Sequence, residues 1–396
     1  EAVEPTDAWK NIILNVMEEE YRGCAVSIDD FDWRENFDFC LRSLDFRSSP
    51  GYPFMGEKPT IGDWLGFDGI SFDAMQVNKL WLMVLELLDS EEIECLWRVF
   101  VKQEPHKEHK IQQKRFRLIM CPPLHVQVLW QMIFARQNAI EIDQAYYIPS
   151  QQGLIMPYGN WKQFYSQWVG QGTTCGTDAV AWDWTLPGWV FQLDLQFRER
   201  QARGYRITEW MEQAAKLYRN AFWKCKLLFS DGSVYEQQHW GIMKSGCVNT
   251  ISTNSHGGVM YHVLYCLETG MSIYPMPKCV GDDKLVAPEH AEYLEVYEKY
   301  GNLIKSVSET CEFVGHEFFP SGPRPMYIGK HVYNFRHVKP EVLEETLDSY
   351  LRLNALCDEG WDFWYFIANE LGLAGQVLSR RYYQAWYNDP DGANRT

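Results

Sequence analysis

No stretch of this chain approaches the roughly 18 consecutive apolar residues of a membrane-spanning helix, and its first residues lack the charged, apolar and small-residue succession of a signal peptide. Cys-x2-Cys pairs and Cys/His groups at zinc-ligand spacing are missing. The 11 cysteines are odd in number and scattered along 396 residues, which excludes a disulfide scaffold and fits a reduced, cytosolic protein. Internal repeats, low-complexity tracts and a long Gly/Ser/Pro linker are absent. So is an excess of positive charge. With 37 Lys and Arg against 53 Asp and Glu the formal charge is −16, unlike a protein that coats nucleic acid by neutralising phosphates. The chain begins at Glu1 rather than Met, compatible with release from a larger precursor or with trimming.

Apolar and aromatic material is plentiful. Hydrophobic residues make up 46% and aromatics 15%, including 17 Trp, enough for a sizeable core and against a disordered chain. One large enzyme with subdomains around a shared cleft is the simplest reading of this length. The basic residues are concentrated: Arg98 to Arg117 holds Arg98, Lys102, Lys107, Lys110, Lys114, Arg115 and Arg117 against Glu104 and Glu108, a local +5. That contrast points to an anionic ligand at a focused site.

Val77, Leu80, Trp81, Val84, Leu85 and Leu88 recur at helical spacing and predict an amphipathic helix before the basic segment. Leu124, Val128, Met132 and Ala135 predict another after it, leaving the basic stretch as a loop or ribbon between them. Cys279-Val280 and Leu285-Val286 flank Gly281-Asp282-Asp283-Lys284 as short apolar arms, so a hairpin with the acidic pair at its tip is expected. Leu343, Leu347, Tyr350 and Leu351 mark a further helix, and Trp361, Trp364, Tyr365 and Ile367 begin another apolar stretch. Both read as core helices without chemistry of their own.

Gly281-Asp282-Asp283 does not stand alone. Asp178 and Asp183 lie upstream as Asp-x4-Asp, and Ser245-Gly246-x3-Thr250-x3-Asn254 falls between. Each motif singly is weak, because Gly and Asp are also the favoured residues of β-turns. In this order and spacing they are the grammar of a template-directed RNA polymerase. Asp178 and Asp282, from separate segments, can hold two Mg2+ ions roughly 3.5–4 Å apart, an arrangement that stabilises attacking and leaving oxygens in phosphoryl transfer. Asp283 is a helper carboxylate and the Ala179 carbonyl a further oxygen donor. An incoming nucleoside triphosphate carries about four negative charges to be neutralised. Arg115 and Arg117, one residue apart, would point to one side of a strand for bidentate phosphate contacts, with Lys102 and Lys110 next. His106, His109 and His316 lack metal-site spacing and read as structural or template-contacting.

The segment Phe100-Val101-Lys102-Gln103-Glu104-Pro105-His106-Lys107, continuing to Arg115-Phe116-Arg117-Leu118-Ile119, closely resembles the nucleotide-entry motif of the RNA-dependent RNA polymerases of sobemoviruses, poleroviruses and their sobemo-like relatives among positive-strand RNA viruses. Ser48-Ser49-Pro50-Gly51-Tyr52-Pro53 is similar to the template-entry motif, Asp178-x4-Asp183-Trp184-Thr185 to the first palm motif, and Lys244-Ser245-Gly246 with Thr250 and Asn254 to the second. Gly281-Asp282-Asp283 is similar to the third, and Phe313-Val314-Gly315-His316-Glu317-Phe318 to the strand leading toward the thumb.

The resemblance implies an α+β right-hand fold with an antiparallel palm sheet: fingers and an N-terminal extension over 1–175, palm over 176–190 and 241–320, a fingers insertion over 191–240, and thumb over 321–396. It implies that Asp183 and Asn254 recognise the ribose 2′-hydroxyl, that Ser245 and Thr250 stand by the nucleotide, and that Ser49, Pro50, Gly51 and Gly246 follow the RNA. Lys305, with Lys299 as competitor, would protonate the leaving pyrophosphate. Ser245 could instead cap a helix beginning near Val248. Two Mg2+ ions, replaceable by Mn2+, are the implied cofactors. Implied partners are template and nascent RNA, ribonucleoside triphosphates, a genome-linked protein primer and other viral replication proteins, in membrane-associated complexes of the host cytoplasm after processing from a polyprotein. Reverse transcriptase and an inactive RNA-binding scaffold are the rival readings. Asn254 opposes the first, and the intact carboxylate set opposes the second.

Overall fold

Four short antiparallel strands carry the acidic motifs. In the computed structural model, which describes residues 2–391, their order is Ile304–Val307, Cys175–Ala179, Asp283–Val286, Lys278–Val280. The last two form a hairpin with Val280 opposite Asp283, so Gly281 and Asp282 are its two-residue turn. Gly281 has φ +62°, which only glycine adopts at no steric cost, and tight hairpin turns demand it there. Cys175–Ala179 joins from far away in sequence, placing Thr177 opposite Lys284 and Gly176 opposite Leu285. Ser306 stands opposite Asp178 on the other side.

Helix Thr250–Thr269 packs on this sheet, and every residue from Ser252 to Cys266 is buried. Such all-round burial needs partners on every side. Helices Asp7–Glu20 and Gly188–Gln201 supply them, and Leu124–Asp143 and Ile207–Phe222 extend the same core. Helix Ala74–Asp89 is capped by Asp73, whose carboxylate accepts from the Met75 and Gln76 amides at 2.8 and 3.1 Å.

A second sheet runs Leu118–Cys121, Leu96–Val101, Lys226–Leu228, Val234–Glu236. Its central pairing is parallel, with Leu96 opposite Lys226, so the 191–240 segment builds onto the basic strands. The basic stretch is not simply a loop or ribbon: Glu108–Gln112 forms one short helix within it. Arg115 and Arg117 also precede the strand that begins at Leu118 rather than lying in it. A third sheet pairs His316–Phe319 with Gly322–Pro325, across position 321. Beyond it, helices Ile328–Arg336, Leu343–Leu353, Asp358–Glu370 and Arg380–Asn388 close around Leu347, Leu351, Trp364 and Tyr383. Tyr350 stacks on Trp364 there, with ring centroids 4.3 Å apart. Among the described residues no helix is long and apolar enough to cross a membrane.

Under the sheet lies a buried ionic network. His256 Nδ1 is 2.5 Å from Asp194 and its Nε2 is 2.7 Å from Glu141. Asp194 also accepts from Arg198 at 3.2 Å, from Thr253 at 2.7 Å and from Tyr218. Burial alone would push the imidazole pKa down, but Glu141 and Asp194 carry it up to about 9. A raised folded pKa contributes stability that is present in full below the unfolded value of about 6.5 and lost as pH rises through the folded one. His256→Gln should therefore cost about 3 kcal/mol near pH 6 and clearly less near pH 10, measured by chemical denaturation. An equal cost at both would show that the imidazole is neutral.

Candidate active site

Asp178 ends its strand's exposed rim one residue before Ala179, beside the strand that begins at Asp283, so the pleat and turn bring Asp178, Asp282 and Asp283 together. They feel one another. Crowding by protein raises the Asp282 carboxyl pKa, and Asp178 adds to the shift. Asp283 is pushed up to about 6 by its surroundings, then by Asp282 and Asp178. Lys305 Nζ lies 2.5 Å from Asp178 Oδ2, and this contact raises the lysine pKa. The competing Lys299 pairs instead with Glu268 at 2.6 Å. Tyr327, which the sequence did not single out, also stands within electrostatic reach of Asp283 and Asp178, and burial followed by those charges raises its phenol pKa.

Ala181, at φ +48°, turns the chain after Val180 into the short helix Trp182–Thr185 and swings Asp183 back toward the turn. The Asp183 carbonyl accepts from the Met243 amide at 2.7 Å, linking the first acidic motif to the Ser245 segment. Asn254 Nδ2 donates to Asp183 Oδ1 at 3.3 Å. The Asp183 carboxyl is raised to about 6, first by burial and then by Asp282. Asn254 Oδ1 is buried and has no partner. A buried acceptor left open this way costs stability unless a ligand fills it.

The adjacent Ser255, which sequence reasoning missed, accepts the Gly281 amide at 2.9 Å and so ties the acidic turn to the helix. Its position next to Asn254 was the only available signal. Ser245 does not cap a helix: its hydroxyl donates to the Leu118 carbonyl at 2.8 Å, and the helix starts at Thr250. The Thr250 hydroxyl is engaged by the carbonyls of Lys244 and Cys247, at 3.0 and 2.7 Å. Gly246 does permit a close approach, but to protein. A Cβ there would meet the Met120 carbonyl at 2.3 Å. Gly51, at φ +73°, lies equally tight on the Pro122 carbonyl, and the Pro50 carbonyl accepts from the Leu124 amide at 2.8 Å. Ser49 accepts from the Gly51 amide at 3.3 Å. These segments therefore converge on Leu118–Leu124.

Glu104, also unforeseen, holds the basic segment. It lies 2.9 Å from Arg117, 3.5 Å from Lys102 and 3.2 Å from Lys330 of the C-terminal helices. Burial pushes its carboxyl pKa up, but Lys330, Arg117 and Lys102 outweigh that and hold it low. Arg117 and Lys102 also act electrostatically on Asp183. Arg115 is exposed and Lys110 half-buried, and the Arg115 amide donates to the Lys110 carbonyl at 2.8 Å. His106 Nε2 accepts from the Arg117 amide at 3.0 Å, a structural role.

The profile of the family described as viral RNA-dependent RNA polymerase matches residues 23–312. Protein P1-P2 of Turnip yellows virus (isolate FL-1) is 31% identical over 368 residues, covering 83% of this chain and 34% of the relative. Replicase polyprotein P2AB of Southern bean mosaic virus is 28% identical over 257 residues, covering 61% of this chain and 26% of the relative. The chain spans about a third of the length of the curated relatives it matches first. Among solved structures, the Sicinivirus 3Dpol RNA dependent RNA polymerase has the same fold, with a TM-score of 0.72 at 16% identity over 97% of this chain and 85% of that one. The fold is thus the right-hand polymerase fold.

A pH signature follows for the metal-free protein. The Asp183 and Asp283 carboxyls are raised from 3.8 to about 6. The stability tied to their protonation is present in full below 3.8 and lost as pH rises through about 6. A divalent cation offsets that loss only when the acids are ionised, so Mg2+ should raise Tm by several degrees near pH 7.5 and by little near pH 5. Thermal melts would check this, and an equal increment at both pH values would contradict it.

Proposed function

Because the chain belongs to the viral RNA-dependent RNA polymerase family, we propose that it extends RNA by template-directed ribonucleotidyl transfer, with release of pyrophosphate. The meeting of Asp178 with Asp282 and Asp283, where burial and then the Asp178 charge raise the carboxyl pKa of the other two, carries this reading. A cluster of carboxylates in that state calls for cations. The donor set is all oxygen, which suits Mg2+ or Mn2+, and Asp178, Asp282, Asp283 and the Ala179 carbonyl would hold them. When bound, such ions neutralise charge on the attacking and leaving oxygens.

The chain's own residues supply the rest. Arg117 and Lys102 exchange Glu104 for the triphosphate of the incoming nucleotide, with Lys110 and Arg115 flanking its path. Asn254 Oδ1 accepts a hydrogen bond from the ribose 2′-hydroxyl beside Asp183, while Ser245 and Thr250 shape the backbone around it. As the RNA 3′-oxygen bonds to the α-phosphorus, the bond to the bridging oxygen breaks. Lys305, kept protonated by Asp178, gives its proton to the departing pyrophosphate. Ser49, Pro50, Gly51 and Gly246 guide the RNA along the Leu118–Leu124 edge.

Fingers over 1–175 and 191–240, palm over 176–190 and 241–320, and thumb over 321–396 form the corresponding division. The Southern bean mosaic virus relative is called a replicase polyprotein, which supports release of this chain from a polyprotein. It would then work with other viral replication proteins and a genome-linked protein primer in membrane-associated complexes of the host cytoplasm.

Asp282→Asn should reduce nucleotide addition to below about 1% while leaving RNA affinity nearly unchanged. Retention of more activity than that, in a primer-extension assay with Mg2+, would overturn the cation assignment. A second measurement addresses the sugar. Asn254→Ala should lower the efficiency for ribonucleotides about tenfold to a hundredfold more than for deoxyribonucleotides, since only the former uses the open acceptor. Equal losses for both sugars would reduce Asn254 to a support of the palm.

A further inference from the structure

Away from the carboxylates, the C-terminal half of helix Thr250–Thr269 carries His262 and Cys266, four residues apart and therefore on one face. The turn Pro288–Ala291 brings His290 against them. The two imidazole rings stand 4.7 Å apart at 87°, and one ligand-type atom from each of the three residues lies within 4.8 Å of the other two. All three are buried, with exposures of 0% for His262, 2% for Cys266 and 1% for His290. Spacing along the chain hides this group, because His290 arrives from a separate segment.

Hydrogen bonding sets both imidazoles in the form that a metal requires. His262 Nε2 lies 2.7 Å from the Ile273 carbonyl, and His290 Nε2 lies 2.9 Å from the Ser272 carbonyl. A carbonyl only accepts, so each Nε2 carries its proton and each Nδ1 keeps its lone pair. Both Nδ1 atoms are buried without a partner. Cys266 Sγ lies 3.7 Å from His262 Nε2; two orphaned acceptors in so buried a group are costly for a folded protein to retain, whereas a metal-bound histidine commonly donates its other N–H to a backbone carbonyl.

We propose that His262, Cys266 and His290 form a buried three-ligand site for Zn2+, separate from the catalytic carboxylates. Two neutral imidazoles and one sulfur suit Zn2+ and not Mg2+, which demands oxygen donors. Zinc bonds of about 2.0–2.3 Å require the ligand atoms to draw in by up to about 1 Å, within the reach of ring rotation. On binding, the Cys266 thiol loses its proton to solvent as the S–Zn bond forms. The ion would pin the far end of the helix that presents Asn254 and Ser255 to the Ser272–His290 segment, which contains the acidic hairpin.

Elemental analysis of protein refilled with Zn2+ and freed of excess should find about one zinc per chain, with about one proton released per ion bound. Co2+ substitution in the unaltered protein should give a thiolate-to-cobalt charge-transfer band and tetrahedral visible bands. Cys266→Ser should abolish the charge-transfer band and His290→Gln should lower zinc affinity at least tenfold, while Asp282→Asn retains both. Absence of stoichiometric zinc and of the cobalt bands in the unaltered protein would overturn the site, as would an unchanged zinc content in Cys266→Ser.

Discussion

Like charges gathered on two neighbouring strands set the terms for the rest of this molecule. Neighbouring carboxylates disfavour one another's charge, whereas an exposed ion pair returns only about 0–1 kcal/mol. The Lys305 contact with Asp178 is of that exposed kind. It does not by itself offset the cluster: burial first, and then the neighbouring acids, keep the Asp183 and Asp283 carboxyls raised. A polymerase needs this unbalanced state, because the charge that relieves it arrives with the cations and the substrate. Glu104 holds Arg117 and Lys102 by ion pairs, and in the proposed mechanism a triphosphate replaces it.

Mutual repulsion would splay the motifs apart unless they were fixed to something rigid. The fixing element is helix Thr250–Thr269. Through Ser255 it holds the Gly281 amide, through Asn254 it holds Asp183, and through Thr253 and His256 it is rooted in the ionic network around Asp194. Removing one member of such a buried network leaves an uncompensated charge, which is why the network specifies one position for the helix. At its other end the His262, Cys266 and His290 group meets the segment leading into and out of the acidic hairpin. One helix thus sets the geometry of two acidic motifs that are distant in sequence.

Much of this was legible beforehand where a local rule sufficed. Gly281-Asp282 had to turn and its apolar flanks had to pair, and the four-residue steps of Leu124, Val128 and Met132 had to form a helix. The order of motifs along the chain led to the family and hence to the fold. Pairings decided by tertiary structure were not legible. Nothing local distinguishes Glu104 from other acids near lysines, and the parallel pairing of Leu96 with Lys226 joins segments far apart. Arg115 and Arg117 look like alternate strand positions, but the short helix Glu108–Gln112 and the left-handed Lys114 consume the chain before the ladder begins at Leu118. The Ser245 helix cap failed for the same reason. Ser245 and Thr250 satisfy backbone carbonyls that only the folded chain supplies.

The most direct test of the account is template-directed synthesis by the purified chain on a defined RNA, with the four ribonucleoside triphosphates, in the presence and absence of Mg2+. The account predicts an RNA product complementary to the template, made only with the cation present and poorly or not at all from deoxyribonucleotides. RNA binding without any cation-dependent product, or equal use of both kinds of nucleotide, would contradict it.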